Sequence, residues 1–254
     1  MNQSDGAFLL HPGVHDRRGG SRVAFFGGSF DPPHLGHLAV ARAACAAFRL
    51  DRVLFAPVGS QPLKPEGSTA SFEQRLAMTR LAVANEPGFE VSLADAPRPC
   101  GERGLHPNYT IDTLGRLRAE LAPGCLLYCL MGADSFFDLR RWHRASEIPF
   151  AARLVVASRP GQSLGGLKAA LPSGLTMEPA PDDEKSESDI EVLAFVLVNP
   201  AGDRAPFYLL PGLDVEISAS QIRQEIRAEA RRPSSAQLLP VPVARYIDTH
   251  RLYR

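Results

Sequence analysis

Hydrophobic and polar positions along the chain alternate between short apolar runs and longer amphipathic stretches. The runs that are typical of buried strands cover residues 22–26, 51–58, 89–93, 125–131 and 153–157. The stretches between them predict helices over residues 35–48, 72–85, 109–121 and 135–144. Strands that alternate with helices predict an α/β fold built on a doubly wound, Rossmann-like parallel sheet, in which ligands bind at the carboxyl ends of the strands.

Local sequence signals predict where two of these helices begin. Ser71 and Gln74 form a capping box ahead of the helix over 72–85. Asn108 or Thr110 is expected to cap the helix over 109–121, because short polar side chains satisfy free N–H groups at a helix start.

The carboxyl-terminal part of the chain has a less regular pattern. An acidic, proline-containing stretch over 179–189 predicts a solvated loop or insert, and residues 192–198 predict a further strand. Residues 218–232 and 241–253 predict two final helices.

The chain length of 254 residues is sufficient for one sizeable domain. We therefore expect a single domain over 21–254, with 182–210 as a candidate insert. Residues 1–20 contain no long apolar run and predict a flexible extension, with no signal peptide.

Composition narrows the classes of partner. Lys and Arg together number 28, as do Asp and Glu, so the formal net charge is zero. This balance argues against a nucleic acid or an anionic membrane surface as partner. The four cysteines form no Cys-x-x-Cys pair, so we expect reduced thiols in a cytoplasmic protein. The sequence leaves open whether the chain forms a homo-oligomer.

The strongest candidate for chemistry is the string Gly-Gly-Ser-Phe-Asp-Pro-Pro-His-Leu-Gly-His over residues 27–37. Gly27 and Gly28 allow the backbone to approach a ligand closely, and the helix start that follows is an anion site. His34 and His37 are three positions apart and project from the same side of the first turn. The alternative is a turn with two surface histidines, but the combination favours a phosphate-binding loop.

A second candidate anion site begins the predicted helix at 218–232. Ser218 and Ser220 place two hydroxyl groups at the helix start, and Arg223 supplies a forked donor one turn later. Alone, this segment could equally be a Ser-capped surface helix with a solvated arginine. Together with the upstream loop, it favours binding of a triphosphate.

These motifs resemble those of a known family. The string over 27–37 is similar to the signature of the HxGH nucleotidyltransferase superfamily, and its Gly-Gly-Ser-Phe-Asp-Pro form looks most like the bacterial nicotinate-nucleotide adenylyltransferases. The resemblance extends from Arg22 to Arg254 through the elements Gln61-Pro-Leu-Lys64, Asn108-Tyr-Thr-Ile-Asp-Thr-Leu114, Met131-Gly-Ala-Asp-Ser135, Trp142, Arg159-Pro-Gly161 and Ile217-Ser-Ala-Ser-Gln-Ile-Arg223. The chain departs from the family pattern at Asn108, where a small Ser is usual, at Ala219, where a hydroxyl residue is frequent, and in the length of 182–210.

The resemblance implies an enzyme that transfers the adenylyl group of ATP to nicotinate mononucleotide, with Mg²⁺ carried on the phosphates and no metal ligand from the protein. It implies catalytic roles for His34, His37 and Arg223. It implies ATP or phosphate binding by Gly27, Gly28, Ser29, Phe30, Lys64, Gly132, Asp134, Ile217, Ser218 and Ser220. It implies mononucleotide binding by Asn108, Tyr109, Thr110, Trp142 and Arg159.

Plainer interpretations stay open for several of these residues. Lys64 could be a solvated lysine, Trp142 a core residue, and Asp134 and Tyr109–Thr110 helix caps. The chain could also use another acceptor, such as nicotinamide mononucleotide or phosphopantetheine, or be a catalytically silent nucleotide-binding regulator. A dehydrogenase is disfavoured because no Gly-x-Gly-x-x-Gly follows the first strand.

Overall fold

A computed structural model describes residues 20–63, 66–100, 104–158, 164–180, 190–211, 217–228 and 237–254. Its strands are β1 (Arg22–Gly28), β2 (Arg52–Pro57), β3 (Phe89–Val91), β4 (Arg98–Cys100), β5 (Gly104–His106), β6 (Leu126–Gly132), β7 (Arg153–Ala157), β8 (Thr176–Pro179), β9 (Leu193–Val198) and β10 (Arg204–Leu210). Its α-helices are α1 (Leu35–Phe48), α2 (Phe72–Val83), α3 (Thr110–Glu120), α4 (Ala133–Asp138), α5 (Ile148–Ala151), α6 (Leu164–Ala169), α7 (Ala219–Ala228) and α8 (Val241–Thr249). The predicted site residues Lys64 and Arg159, and residues 1–19 of the predicted extension, lie outside the described residues.

An eight-stranded sheet organises the molecule, in the order β3-β2-β1-β6-β7-β10-β9-β8. Strand β1 pairs in parallel with both β2 and β6, so the winding reverses between β1 and β6. This reversal is the point at which open α/β sheets bind ligands. The predicted doubly wound parallel sheet is confirmed.

The sheet also has an antiparallel edge, which the sequence pattern did not reveal. Strands β9 and β10 pair in an antiparallel manner, and β8 pairs with β9 in the same way. The connection from Asn199 to Asp203 is too short for a parallel crossover, which takes a dozen or more residues. The side chain of Asn199 closes this turn by accepting hydrogen bonds from the backbone N–H groups of Ala201 and Asp203. The described part of the candidate insert at 182–210 therefore contains two strands of the main sheet.

Helices cover both faces of the sheet because alternate strand residues point to opposite faces. On β1, Phe25 belongs to the apolar cluster under α3, and Phe26 belongs to the cluster under α1. Full burial of such a side chain contributes about 1.5–3 kcal/mol. Helices α2, α7 and α8 form a third cluster around Met78, Ile222 and Val243, and this cluster anchors the carboxyl-terminal segments to the edge of the site.

The predicted helix boundaries were partly correct. The capping box is confirmed, because Ser71 accepts from the N–H of Gln74 and the Gln74 side chain returns a bond to the N–H of Ser71. The predicted cap of α3 was wrong, since α3 begins at Thr110 with Tyr109 at the capping position and no side-chain cap. The helix predicted over 135–144 is instead α4 followed by a 3₁₀ turn over Leu139–Arg141, because the extended backbone of Trp142 ends the helix.

Candidate functional site

A cavity of about 410 Å³ opens where β1, β6 and β7 end. This is the strand-end position that the doubly wound fold predicts. The structure brings many predicted site residues to its wall, namely Gly27, Gly28, Ser29, Phe30, His34, His37, Gly132, Asp134, Ile217, Ser218, Ser220 and Arg223. Residues that lie nearly 200 positions apart in the sequence therefore meet around one space.

His34 and His37 form a stacked pair at the start of α1. Their ring centroids lie 3.7 Å apart with an interplanar angle of 27°. The backbone N–H of His34 donates to Nδ1 of His37 over 3.2 Å, so neutral His37 carries its proton on Nε2. The donor that His37 can offer to a ligand is therefore Nε2–H.

Burial controls the charge of both imidazoles. It lowers the pKa of His34 to about 4. Burial also lowers the pKa of His37 well below its usual value, and the neighbouring His34 lowers it further. Both rings are consequently neutral near pH 7 and act as hydrogen-bonding groups. The side chain of His34 faces the backbone N–H of His37 in a capping-box arrangement. Its Nδ1 atom is buried and makes no hydrogen bond of normal geometry with the described residues.

The loop that leads into this pair is shaped by Phe30, which adopts a left-handed conformation with φ 46°. Few residues other than glycine accept this conformation. The Phe30 ring is almost fully buried and contacts the His37 ring edge-on, with centroids 4.9 Å apart. The buried Phe30 ring therefore packs against the imidazole of His37.

The glycines of the loop have different surroundings. A Cβ atom on Gly27 would lie 2.7 Å from the Phe25 ring, and one on Gly28 would lie 3.3 Å from the Phe30 ring. A side chain at either position would therefore collide with the packed rings of Phe25 or Phe30, in addition to hindering the approach of a ligand. A Cβ atom on Gly132 would meet nothing within 4 Å, because this position faces open space in the cavity wall.

Asp31 is a support of the loop to which the sequence analysis gave no role. Its buried carboxylate accepts from the N–H groups of Thr69 and Ala70 at 2.6 and 3.1 Å, and from the hydroxyl of Tyr253 at 2.7 Å. This carboxylate therefore ties together three segments: residues 27–37, which we call the phosphate loop, the segment before α2, and the segment that contains Tyr253. Its position inside the motif at 27–37 was the only available signal.

Arg75 is a second support that sequence reasoning missed. Its buried guanidinium donates to the carbonyl oxygens of Ser29, Val58 and Ala70 at 2.7, 2.8 and 3.3 Å. A charged group is rarely buried unless its donors are satisfied, and here backbone oxygens satisfy them. The sequence signal was weak, because an arginine in the first turns of a helix usually lies in solvent.

Arg223 connects the two predicted anion sites. Its Nη1 donates to the backbone oxygen of Asp31 at 2.7 Å, and its Nη2 donates to the hydroxyl of Ser220 at 3.1 Å. Arg223 therefore lies at the cavity in a fixed orientation and is not a freely solvated side chain. The start of α7 is held beside the phosphate loop in the same way.

Asn108 has a structural role that the sequence analysis did not predict. Its side-chain oxygen accepts from the N–H of Ser60 at 2.8 Å, and its amide nitrogen donates to the carbonyl oxygen of Ala96 at 3.3 Å. The side chain is 6% exposed. Backbone partners therefore hold the Asn108 side chain between the loop after β2 and the segment before β4.

The other predicted mononucleotide residues lie around the start of α3. The ring of Tyr109 contacts the ring of His143 with centroids 4.3 Å apart and planes tilted by 32°, which places the segment after α4 against this helix start. Trp142 precedes His143 and is half-buried, packed against the main apolar cluster. Tyr109, Thr110 and Trp142 do not line the 410 Å³ cavity.

The described residues contain no group of three or more His, Cys, Asp or Glu side chains that could hold a metal ion. The Asp31 carboxylate is already engaged by three donors. These residues do not form a protein cage for a divalent cation.

In the part of the chain that the structure describes, no helix is long and apolar enough to span a membrane.

The chain is similar in sequence to proteins of a known family. The cytidylyltransferase-like family matches residues 25–225. A protein of Solibacter usitatus named "Probable nicotinate-nucleotide adenylyltransferase" is 36% identical over 91% of this chain and 99% of its own length. A protein of Roseiflexus sp. with the same name is 38% identical over 91% of this chain and 98% of its own length.

Solved structures show the same fold. The nicotinic acid mononucleotide adenylyltransferase of Plasmodium falciparum, complexed with APC, superposes with a TM-score of 0.62 at 15% identity. The match covers 92% of this chain and 97% of that one. The sequence matches and the geometry together lead to one conclusion: the chain belongs to the cytidylyltransferase-like family and, within it, to the nicotinate-nucleotide adenylyltransferases.

Proposed function

We propose that this protein transfers the adenylyl group of ATP to nicotinate mononucleotide, giving nicotinate adenine dinucleotide and pyrophosphate in NAD biosynthesis. The relatives named above carry this activity in their names. The observation that carries the proposal is the convergence of His34, His37 and Arg223 on one cavity, linked through the Asp31 loop.

The reaction needs no covalent intermediate on the protein. An oxygen of the mononucleotide 5′-phosphate forms a bond to the α-phosphorus of ATP, while the bond from that phosphorus to the bridging oxygen breaks and pyrophosphate leaves. Catalysis of such a transfer depends on holding two polyanions in line and stabilising the charge that develops. Nε2–H of His37 is suited to donate to an oxygen of the reacting phosphate. One such preorganised donor is worth about 3–4 kcal/mol.

The triphosphate is held by the other wall of the cavity. Arg223 offers a planar, permanently charged fork, and Ser218 and Ser220 add hydroxyl groups at the start of α7. We assign the nucleoside of ATP to Gly132, the last residue of β6, and Asp134, in the first turn of α4, both of which line the cavity. We assign Lys64 and Arg159 to phosphate and mononucleotide binding from the family resemblance.

We propose that Mg²⁺ binds to the phosphate oxygens of ATP, where it neutralises charge. The described residues supply no carboxylate cluster for it. The protein's contribution is therefore the imidazole and guanidinium donors that surround the phosphates.

We place the pyridine ring of the acceptor against Trp142, with its carboxylate at the start of α3. No side chain caps this helix, so its N-terminal N–H groups and dipole favour an anion. Asn108, which precedes this helix start, is held by the N–H of Ser60 and the carbonyl oxygen of Ala96. This arrangement favours the acid over the amide mononucleotide.

The four cysteines are free thiols in the structure. They support our proposal that the enzyme works in the reducing cytoplasm.

Incubation with Mg-ATP and a panel of acceptors tests the proposed function. The panel contains nicotinate mononucleotide, nicotinamide mononucleotide and phosphopantetheine, and mass spectrometry identifies the products. We expect nicotinate adenine dinucleotide as the main product, and a His34→Asn/His37→Asn double variant should form far less of it. Formation of a different adenylylated product at a higher rate would contradict the acceptor, and no adenylylated product at all would contradict the function.

A further inference from the structure

The side chain of Gln61 has one satisfied end and one unsatisfied end. Its Nε2 donates to the hydroxyl of Ser29 at 2.6 Å, which joins the loop after β2 to the phosphate loop. Its Oε1 is buried and has no hydrogen-bond partner among the described residues. A buried carbonyl oxygen without a partner is costly, and such atoms in native proteins commonly indicate a partner that is not present.

The neighbouring residue Ser60 holds the backbone beside Gln61. Ser60 donates its N–H to the Asn108 side chain at 2.8 Å, and the N–H of Asn108 donates back to the carbonyl oxygen of Ser60 at 3.0 Å. Residues 60 and 61 therefore form a bridge between Ser29, in the phosphate loop, and Asn108, immediately before α3.

This bridge spans the same two places as the acceptor. We place the reacting 5′-phosphate at the phosphate loop and the pyridine ring at the start of α3, and the ribose joins these two groups within the mononucleotide. A ribose carries two hydroxyl donors, which match an unpartnered carbonyl oxygen. Arg223, the guanidinium that we assign to the triphosphate, lies on another element, α7, which packs with α2 and α8.

We propose that Oε1 of Gln61 accepts a hydrogen bond from a ribose hydroxyl of the acceptor mononucleotide. Gln61 is then a specificity residue that selects ribonucleotide acceptors. This inference rests on the proposed adenylyl transfer, and it concerns a residue to which the family resemblance gives no role.

The test measures coupling between Gln61 and the ribose hydroxyls. kcat/KM is determined for the wild type and for Gln61→Leu with nicotinate mononucleotide and its 2′-deoxy and 3′-deoxy forms at saturating Mg-ATP. The same proteins are assayed with 2′-deoxy-ATP and 3′-deoxy-ATP. Gln224→Leu, at an exposed glutamine of α7, is the matched control.

We expect the wild type to lose roughly tenfold in kcat/KM with one of the two deoxy acceptors, which is the value of one net hydrogen bond. Gln61→Leu should show a loss of similar size with the natural acceptor and no further loss with that deoxy form. Its KM for ATP should change less than about twofold, and Gln224→Leu should behave as the wild type. Gln61→Glu keeps a carbonyl oxygen and should still discriminate between the natural and deoxy acceptors.

Additive losses in Gln61→Leu, or coupling to a hydroxyl of ATP, would overturn the proposal. The wild-type comparison does not depend on the folding of any variant, and equal use of all three acceptors would also overturn it. In each of these cases the enzyme is active, so the proposed function stands. If the wild type forms no dinucleotide at all, the proposed function fails and this inference falls with it.

Discussion

The buried histidine pair predicts that acid destabilises the folded protein through His34. Burial lowers the pKa of His34 to about 4 in the folded state, against its ordinary value of 6.5 in the unfolded chain. Between these two values the unfolded state binds more protons than the folded state. The contribution of neutral His34 to the free energy of unfolding is therefore fully present above pH 6.5, and it is lost as the pH falls from 6.5 towards 4.

The size of this effect follows from the two pKa values. At pH 5, His34 of the unfolded chain is almost fully protonated, whereas His34 of the folded protein is mostly neutral. The interval from pH 6.5 to pH 5 covers about 1.5 pH units. Because the unfolded chain binds about one proton more than the folded protein over this interval, the free energy of unfolding falls by about 2 kcal/mol. The free energy of unfolding of the wild type should fall by about this amount more than that of His34→Asn between pH 7.5 and pH 5. His37, with a pKa that burial also lowers, adds a loss in the same direction.

Urea unfolding at several pH values, followed by circular dichroism, measures this difference. His106→Asn, at an exposed histidine of β5, is the matched control for the removal of an imidazole. Parallel stability curves for the wild type and His34→Asn from pH 7.5 to pH 5 would refute the assignment of a buried, neutral His34.

Three further predictions concern the reaction. His37→Ala should lower kcat by about 100-fold or more without changing the circular dichroism spectrum, because one preorganised donor is lost; near-normal turnover in the folded variant would contradict its role. Arg223→Ala should raise KM for ATP by roughly tenfold and more than KM for the mononucleotide, with partial rescue by Arg223→Lys, which lacks the fork. Equal changes in the two KM values would argue against triphosphate binding by Arg223. kcat/KM should favour nicotinate over nicotinamide mononucleotide by about 100-fold, since an amide would aim its donors at the N–H groups of α3; a ratio near one would show that the ring substituent lies elsewhere.

Local patterns predicted the parts of the site that lie within one segment. The spacing of His34 and His37 placed both rings on one turn, because residues three apart in a helix are neighbours. The apolar runs of β1 and β6 likewise predicted parallel strands with a ligand site at their ends. Each of these predictions needed only a few consecutive residues.

The supports of the site depend on contacts between distant segments and could not be read from such patterns. Asp31 and Tyr253 are hydrogen-bonded although they lie 222 positions apart. Arg75 follows a correctly predicted helix start, yet its burial depends on carbonyl oxygens from other loops. Asn108 has the chemistry of a helix cap, but Ser60 and Ala96 offer its amide better partners.

The fate of the α-phosphorus of ATP tests the central claim most directly. The protein is incubated with nicotinate mononucleotide and Mg-ATP that carries ³²P at the α position, and the products are separated. We predict that the label enters the dinucleotide one for one with the release of unlabelled pyrophosphate. Label that stays in ADP while inorganic phosphate or a phosphorylated acceptor appears would contradict adenylyl transfer.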